Sequence, residues 1–142
     1  MTRERAPGYS ISVESDRIVV RHVGQLSVPE VEASRREVAE LARERGLFLI
    51  LLDLSRAAPS SLTTSEIFAL CSTQWNVLPA GLAIAVVYGP GQFSNEDARL
   101  AENVSWNRGV TLRPVPDLEA AHRWLTEKTR PAPSAEAPSP RS

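Results

Sequence analysis

The chain has 142 residues, 42% of them hydrophobic and 23% charged, with a net charge of −1 at pH 7. A chain of that length buries roughly 70% of its unfolded surface, enough for one self-sufficient core. Near-neutrality excludes the broad field that draws a protein to nucleic acid or anionic lipid. Cys71 is the only cysteine, which excludes an intrachain disulfide and a cysteine-built metal cluster. Its place in IFALCST, at helical spacing from Ile67, reads as a small buried hydrophobe. Of the 16 basic residues only Lys128 is lysine, so chemistry that needs an interior lysine has almost nowhere to find one. No apolar h-region opens the chain, and the run LFLILL is too short to span a bilayer. A cytoplasmic location without integral membrane association follows as the default.

Residues 1–8, ending in Pro7-Gly8, read as a flexible N-terminal arm. Tyr9, Ile11 and Val13 then alternate with Ser10, Ser12 and Glu14, the period of a half-buried strand. Glu14-Ser15-Asp16 turns the chain into IVVRHV and closes a hairpin. In VPEVEASRREVAELARER, Val31, Val38, Leu41 and Ala42 share a stripe with charges opposite. The spacing predicts an amphipathic helix, capped by Ser27, with Pro29 in its first turn and Gly46 at its end.

LFLILLDL is apolar at nearly every position, as expected of a central strand covered on both faces. Thr63 and Glu66 form a capping-box pattern before IFALCSTQW. LAIAVVY is a second buried strand, and Ser94 with Asp97 opens a helix running through about Trp106. VTLRPV is a short strand, and Asp117 caps a last helix, LEAAHRWLTE. Residues 129–142, with four of the eleven prolines, read as a disordered Pro/Ala/Ser-rich tail. The order β-β-α-β-α-β-α-β-α over residues 9–128 predicts an α/β domain. Its sheet is mixed, five-stranded and mostly parallel, with an N-terminal hairpin and four flanking helices.

That order, the opening hairpin, the segment LLDLSRAAPSS and the closing PDLEAAHRWL together resemble the STAS-like superfamily of sulphate-transporter and anti-sigma-factor-antagonist domains. The helix ending in Trp-Leu is similar to its sporulation-antagonist-like branch of small bacterial proteins. The resemblance covers roughly residues 9–127 and implies a regulatory domain whose second helix begins with a serine phosphorylated by a partner kinase. The family's run there is Asp-Ser-(Ser/Thr)-Gly. Alignment on Asp53-Leu54-Ser55 places Ser61 at the aspartate and Leu62 at the phosphoserine; a loop shorter by one residue places Ser61 at the phosphosite. Neither register reproduces the Asp-Ser pair or the glycine, where Thr64 or Thr63 stands.

Asp53 lies where open α/β sheets place ligand-handling residues. A receiver-type phosphoacceptor needs a second acidic cluster and a late lysine, and a metal-dependent phosphatase a second acid where Ser55 stands. A structural role, hydrogen-bonding nearby amides, and a ligand or partner contact both stay open. Ser60, Ser61, Thr63 and Thr64 are candidate phosphoacceptors, with helix capping as their alternative role. Gly89-Pro90-Gly91 lacks the spacing and lysine of a P-loop and reads as a turn. His22 and His122 show no acid–His or metal spacing, and no Gly-x-Ser-x-Gly elbow is present.

The function expected from these residues is non-enzymatic, without cofactor or metal. It is protein binding at the junction spanning residues 53–66, with Asp53, Ser55, Ser61, Gly91 and Ser94 as the contact residues. The STAS-like resemblance implies a partner that is kinase-like or of the anti-sigma type. The alternative is a small-ligand or lipid carrier with an apolar groove near Phe68, Trp75 and Phe93, and a weaker third is an enzyme with a hydroxyl nucleophile. A homodimer stays open.

Overall fold

The computed structural model describes residues 2–5, 8–58, 62–73, 81–89, 93–107 and 110–129. Six strands form one sheet in sequence order: β1 (Thr2–Arg5), β2 (Tyr9–Glu14), β3 (Arg17–Gly24), β4 (Leu49–Ala57), β5 (Ala83–Val87) and β6 (Thr111–Val115). The first two pairings are antiparallel and the remaining three parallel. Helices α1 (Val28–Arg45), α2 (Thr64–Thr73) and α3 (Asn95–Trp106) connect the parallel strands, and α4 (Leu118–Thr129) ends the fold. This is the expected α/β architecture, its five strands joined by a sixth. Among the described residues no helix is long and apolar enough to cross a membrane.

The extra strand, residues 2–5, falls within the stretch read as a flexible arm over residues 1–8. TRER carries no apolar alternation to mark it as a strand, yet its backbone completes the open edge of β2, with Arg5 opposite Tyr9. A short, charged segment also suits an edge, because charge discourages pairing with another chain. At the opposite edge, Pro114 sits in β6, where a missing N–H costs least. The tail from residue 130 onward lies outside the described residues.

Each parallel connection steps the same way across the sheet, and right-handed crossovers then put their helices on a common face. So α1 packs on β2 and β3, followed by α2 and α3, while α4 covers β4 and β5 from behind. Alternation divides the apolar side chains accordingly. Ile18, Val20, Ile50 and Ile84 face α1, and Val19, Leu49, Leu51 and Ala85 face α4. The unbroken apolar run of β4 thus serves two cores at once.

The expected helix signals are in place. Ser27 accepts from the Glu30 amide at 3.3 Å, Pro29 occupies the first turn, and Gly46 closes α1 with φ 65°. Thr63 and Glu66 exchange their capping-box bonds at 3.1 and 2.8 Å. Ser94 caps α3 and Asp117 caps α4.

Candidate functional site

On the face covered by α1, α2 and α3 the packing is incomplete, leaving a cavity of about 160 Å³ between these helices and the sheet. Its floor is apolar, made by side chains such as Val20, Ile50, Leu52, Ile84 and Leu112. Val38 of α1, Leu70 of α2 and Ala101 of α3 contribute the walls. Among the described residues, six groups that carry a polar atom also line it: His22, Ser34, Arg35, Cys71, Tyr88 and Asp97. A mostly apolar space of this size is room for one ring, since a cavity of roughly 150 Å³ lined by aliphatic side chains takes up benzene.

The polar end is built on α1 and β3. Glu30, Ser34 and Glu37 recur at i, i+4 and i+7, so they share the helix face turned to the sheet. His22, fully buried, places Nδ1 3.1 Å from Glu30 Oε2 and Nε2 3.2 Å from Ser34 Oγ. A carboxylate beside Nδ1 favours the tautomer protonated there, leaving Nε2 to accept from the Ser34 hydroxyl. That hydroxyl also lies 2.9 Å from the Val31 carbonyl, so one proton serves two acceptors. Burial pushes the His22 pKa below its ordinary value, partly offset by the hydrogen bond and charge of Glu30, so the ring is neutral at pH 7. Tyr9 stacks at a tilt on the ring, 5.5 Å between centroids, and donates to Glu37 at 2.7 Å.

Gly8 makes room for this cluster. A Cβ there would stand 2.9 Å from the Val23 carbonyl and 3.1 Å from Glu30 Oε2, at φ 149°.

The sequence offered no acid–His spacing, and the fold supplies one by setting the first turn of α1 against the end of β3. A polar i, i+4, i+7 pattern inside an otherwise amphipathic helix was the available signal. It is masked because Glu32, Arg36 and Glu40 surround it with ordinary surface charge.

Asp53 has a local role. Between Arg21 and Val23 the β3–β4 register slips, with Arg21 opposite Asp53 but Val23 opposite Arg56, so β4 carries an extra residue. Asp53 Oδ1 accepts the Ser55 amide at 2.9 Å and its hydroxyl at 2.6 Å, holding this bulge, while Oδ2 lies 3.7 Å from Arg21. The strand therefore continues four residues beyond Asp53, where the sequence suggested a loop. Asp53 also shares the parity of Leu49 and Leu51, which puts it on the α4 face, away from the cavity.

Of the remaining expected positions, Ser60, Ser61, Trp75 and Gly91 lie outside the described residues. Thr63 is engaged as the cap of α2. Thr64 donates to Asp97 at 2.9 Å, tying the starts of α2 and α3 together. Ser55 and Ser94 are exposed. Phe93 lines the cavity and meets Tyr88 edge to face, 6.0 Å between centroids. Phe68, expected beside it, is not part of the lining: Ile67, Leu70 and Cys71 turn inward at helical spacing, and Phe68 is left 49% exposed. Burial raises the Cys71 thiol pKa, partly offset by a Ser105 hydrogen bond and the Arg35 charge, so it is held as the neutral, weakly nucleophilic thiol. His122 is exposed on the outer face of α4, where Arg17 reaches its Nδ1 at 3.0 Å. Among the described residues no three His, Cys, Asp or Glu side chains group as metal ligands would.

Comparison of the chain with protein-family models and with curated proteins yields no match.

Proposed function

We propose that the protein is a small-ligand-binding domain that takes an apolar molecule into the cavity beneath α1, α2 and α3. The observation that carries this reading is the cavity itself, a space of about 160 Å³ with an apolar floor and a polar end. Interiors normally pack without voids larger than a water molecule, and a pocket of this make-up is the ordinary form of a ligand site.

Binding fits this site better than turnover. The Ser34–His22–Glu30 chain has the connectivity of nucleophile, base and orienter. Ser34, however, lies mid-helix, where the amides around it are committed to the α1 ladder and cannot face a developing oxyanion. Its role in this reading is to satisfy a buried histidine and to give the cavity a polar end.

The direct test combines native mass spectrometry of the protein as purified with a hexan-1-ol titration followed by amide NMR. Co-purified apolar species, or saturable shifts centred on Leu70, Ala101 and Leu112, are expected. An empty protein whose lining amides do not respond to the alcohol contradicts the reading.

A second reading is a protein-binding switch at the start of α2, as the STAS-like resemblance implies. Its supporting observation is that Ser55, Thr63, Thr64 and Ser94 are all exposed where the parallel strands end. Thr64 is the weakest acceptor among them, because a phosphate would stand against the Asp97 carboxylate. Phosphopeptide mapping after incubation with lysate and ATP tests this reading. No modification between Ser60 and Thr64 would remove it.

A further inference from the structure

One lining group is not explained by an apolar ligand alone. Arg35 is half-buried and lines the cavity, yet among the described residues no hydrogen bond or ion pair reaches its guanidinium. The carboxylates around the cavity are otherwise engaged. Glu30 faces His22, and Asp97 accepts from Thr64 in the first turn of α3, where the helix dipole also favours it. Glu32, three residues earlier on α1, is exposed and does not close on Arg35. Across the space stands the neutral Cys71 thiol. Burial pulls the Arg35 pKa down, partly offset by the influence of Cys71 and Glu32. A desolvated guanidinium ordinarily pairs with a planar anion that matches its fork of donors.

We propose that Arg35 anchors the head of the cavity's ligand, and that the ligand is a small monocarboxylate bearing a single ring or a chain of about six carbons. The inference rests on the cavity being a ligand site. A carboxylate is preferred to a phosphate because Arg35 is the one cationic side chain among the described residues of the lining. A dianion would keep an uncompensated charge in an apolar space that already contains Asp97. The apolar floor takes the ring or chain. The head lies toward α1 and α2, away from the repulsion of Asp97 on α3.

The test compares hexanoate with hexan-1-ol, equal in chain and different in head, on the wild-type protein and on Arg35→Met. Methionine keeps an unbranched stem for packing and removes the charge. Isothermal titration measures affinity, and amide NMR spectra check that the variant keeps the fold. Hexanoate is expected to bind Arg35→Met at least about tenfold more weakly than wild type, a loss well beyond the change seen for hexan-1-ol. Arg35→Lys, which keeps the charge and loses the fork, should fall between them. If both probes bind both proteins equally, the anchoring role is overturned and the ligand cavity stands. If hexan-1-ol binds and hexanoate does not, the same conclusion follows. If neither binds wild type, the cavity reading falls as well.

Discussion

The two faces of the sheet are built from the same strands and differ in how they are closed. Behind the sheet, α4 lays Ala121 and Leu125 directly on Leu49, Leu51 and Ala85, all of them buried to within a few per cent. In front, three helices share the cover, and their junction leaves a space that Leu52, Val86 and Ala101 only partly fill. Neighbouring residues of β4 thus enter unlike environments, Leu51 in a dry, filled core and Leu52 at the edge of a cavity. The contrast shows where this fold carries stability and where it has room for a ligand. A single helix matched to the sheet closes its face, whereas three helices arranged by right-handed crossovers meet at a seam.

That contrast can be broken most directly by truncating the two neighbours. Leu51→Ala should lower unfolding free energy by about 3–5 kcal/mol and Leu52→Ala by about 2 kcal/mol, read by urea denaturation. The first opens a cavity in a filled core, whereas the second enlarges one that exists. Equal losses would mean that the faces are equally packed.

A smaller effect comes from His22. Its folded-state pKa is depressed, so the unfolded chain binds the proton more tightly. The stability it contributes is present above its ordinary value of 6.5 and is lost as pH falls from there through the folded value. Urea midpoints measured at about pH 7.5 and about pH 5.5 should therefore separate in the wild type and move closer together in His22→Gln. An unchanged separation would contradict a neutral buried ring. Smaller still is the cap of α2. Thr63→Ala should cost about 1 kcal/mol, without altering the response of the cavity to hexan-1-ol.

Much of the scaffold was legible because its signals are local. Ser27, Pro29 and Gly46 bound α1, Thr63 with Glu66 opens α2, Ser94 and Asp117 start the later helices, and unbroken apolar runs mark β4 and β5. Less was legible where tertiary context decides. Thr2–Arg5 becomes a strand only because β2 offers an edge. LSRA continues β4 only because a bulge, closed by Asp53 on the Ser55 amide, lets the strand go on. Of the groove residues expected from the sequence, Phe93 lines the cavity and Phe68 turns outward. The cavity itself is assembled from side chains of three helices and four strands, so no spacing could announce it. His22 and Glu30 show the same limit: their partnership belongs to the packing of α1 on β3.

The account stands on the space in front of the sheet being a true void that admits a ligand, and Ala101→Leu tests it with one side chain. Ala101 lines the cavity from α3, so the larger residue should fill open volume. The account predicts a variant at least as stable as wild type to urea, with its response to hexan-1-ol abolished. A loss of about 1–3 kcal/mol, the usual cost of overpacking a filled core, together with unchanged hexan-1-ol binding would contradict it.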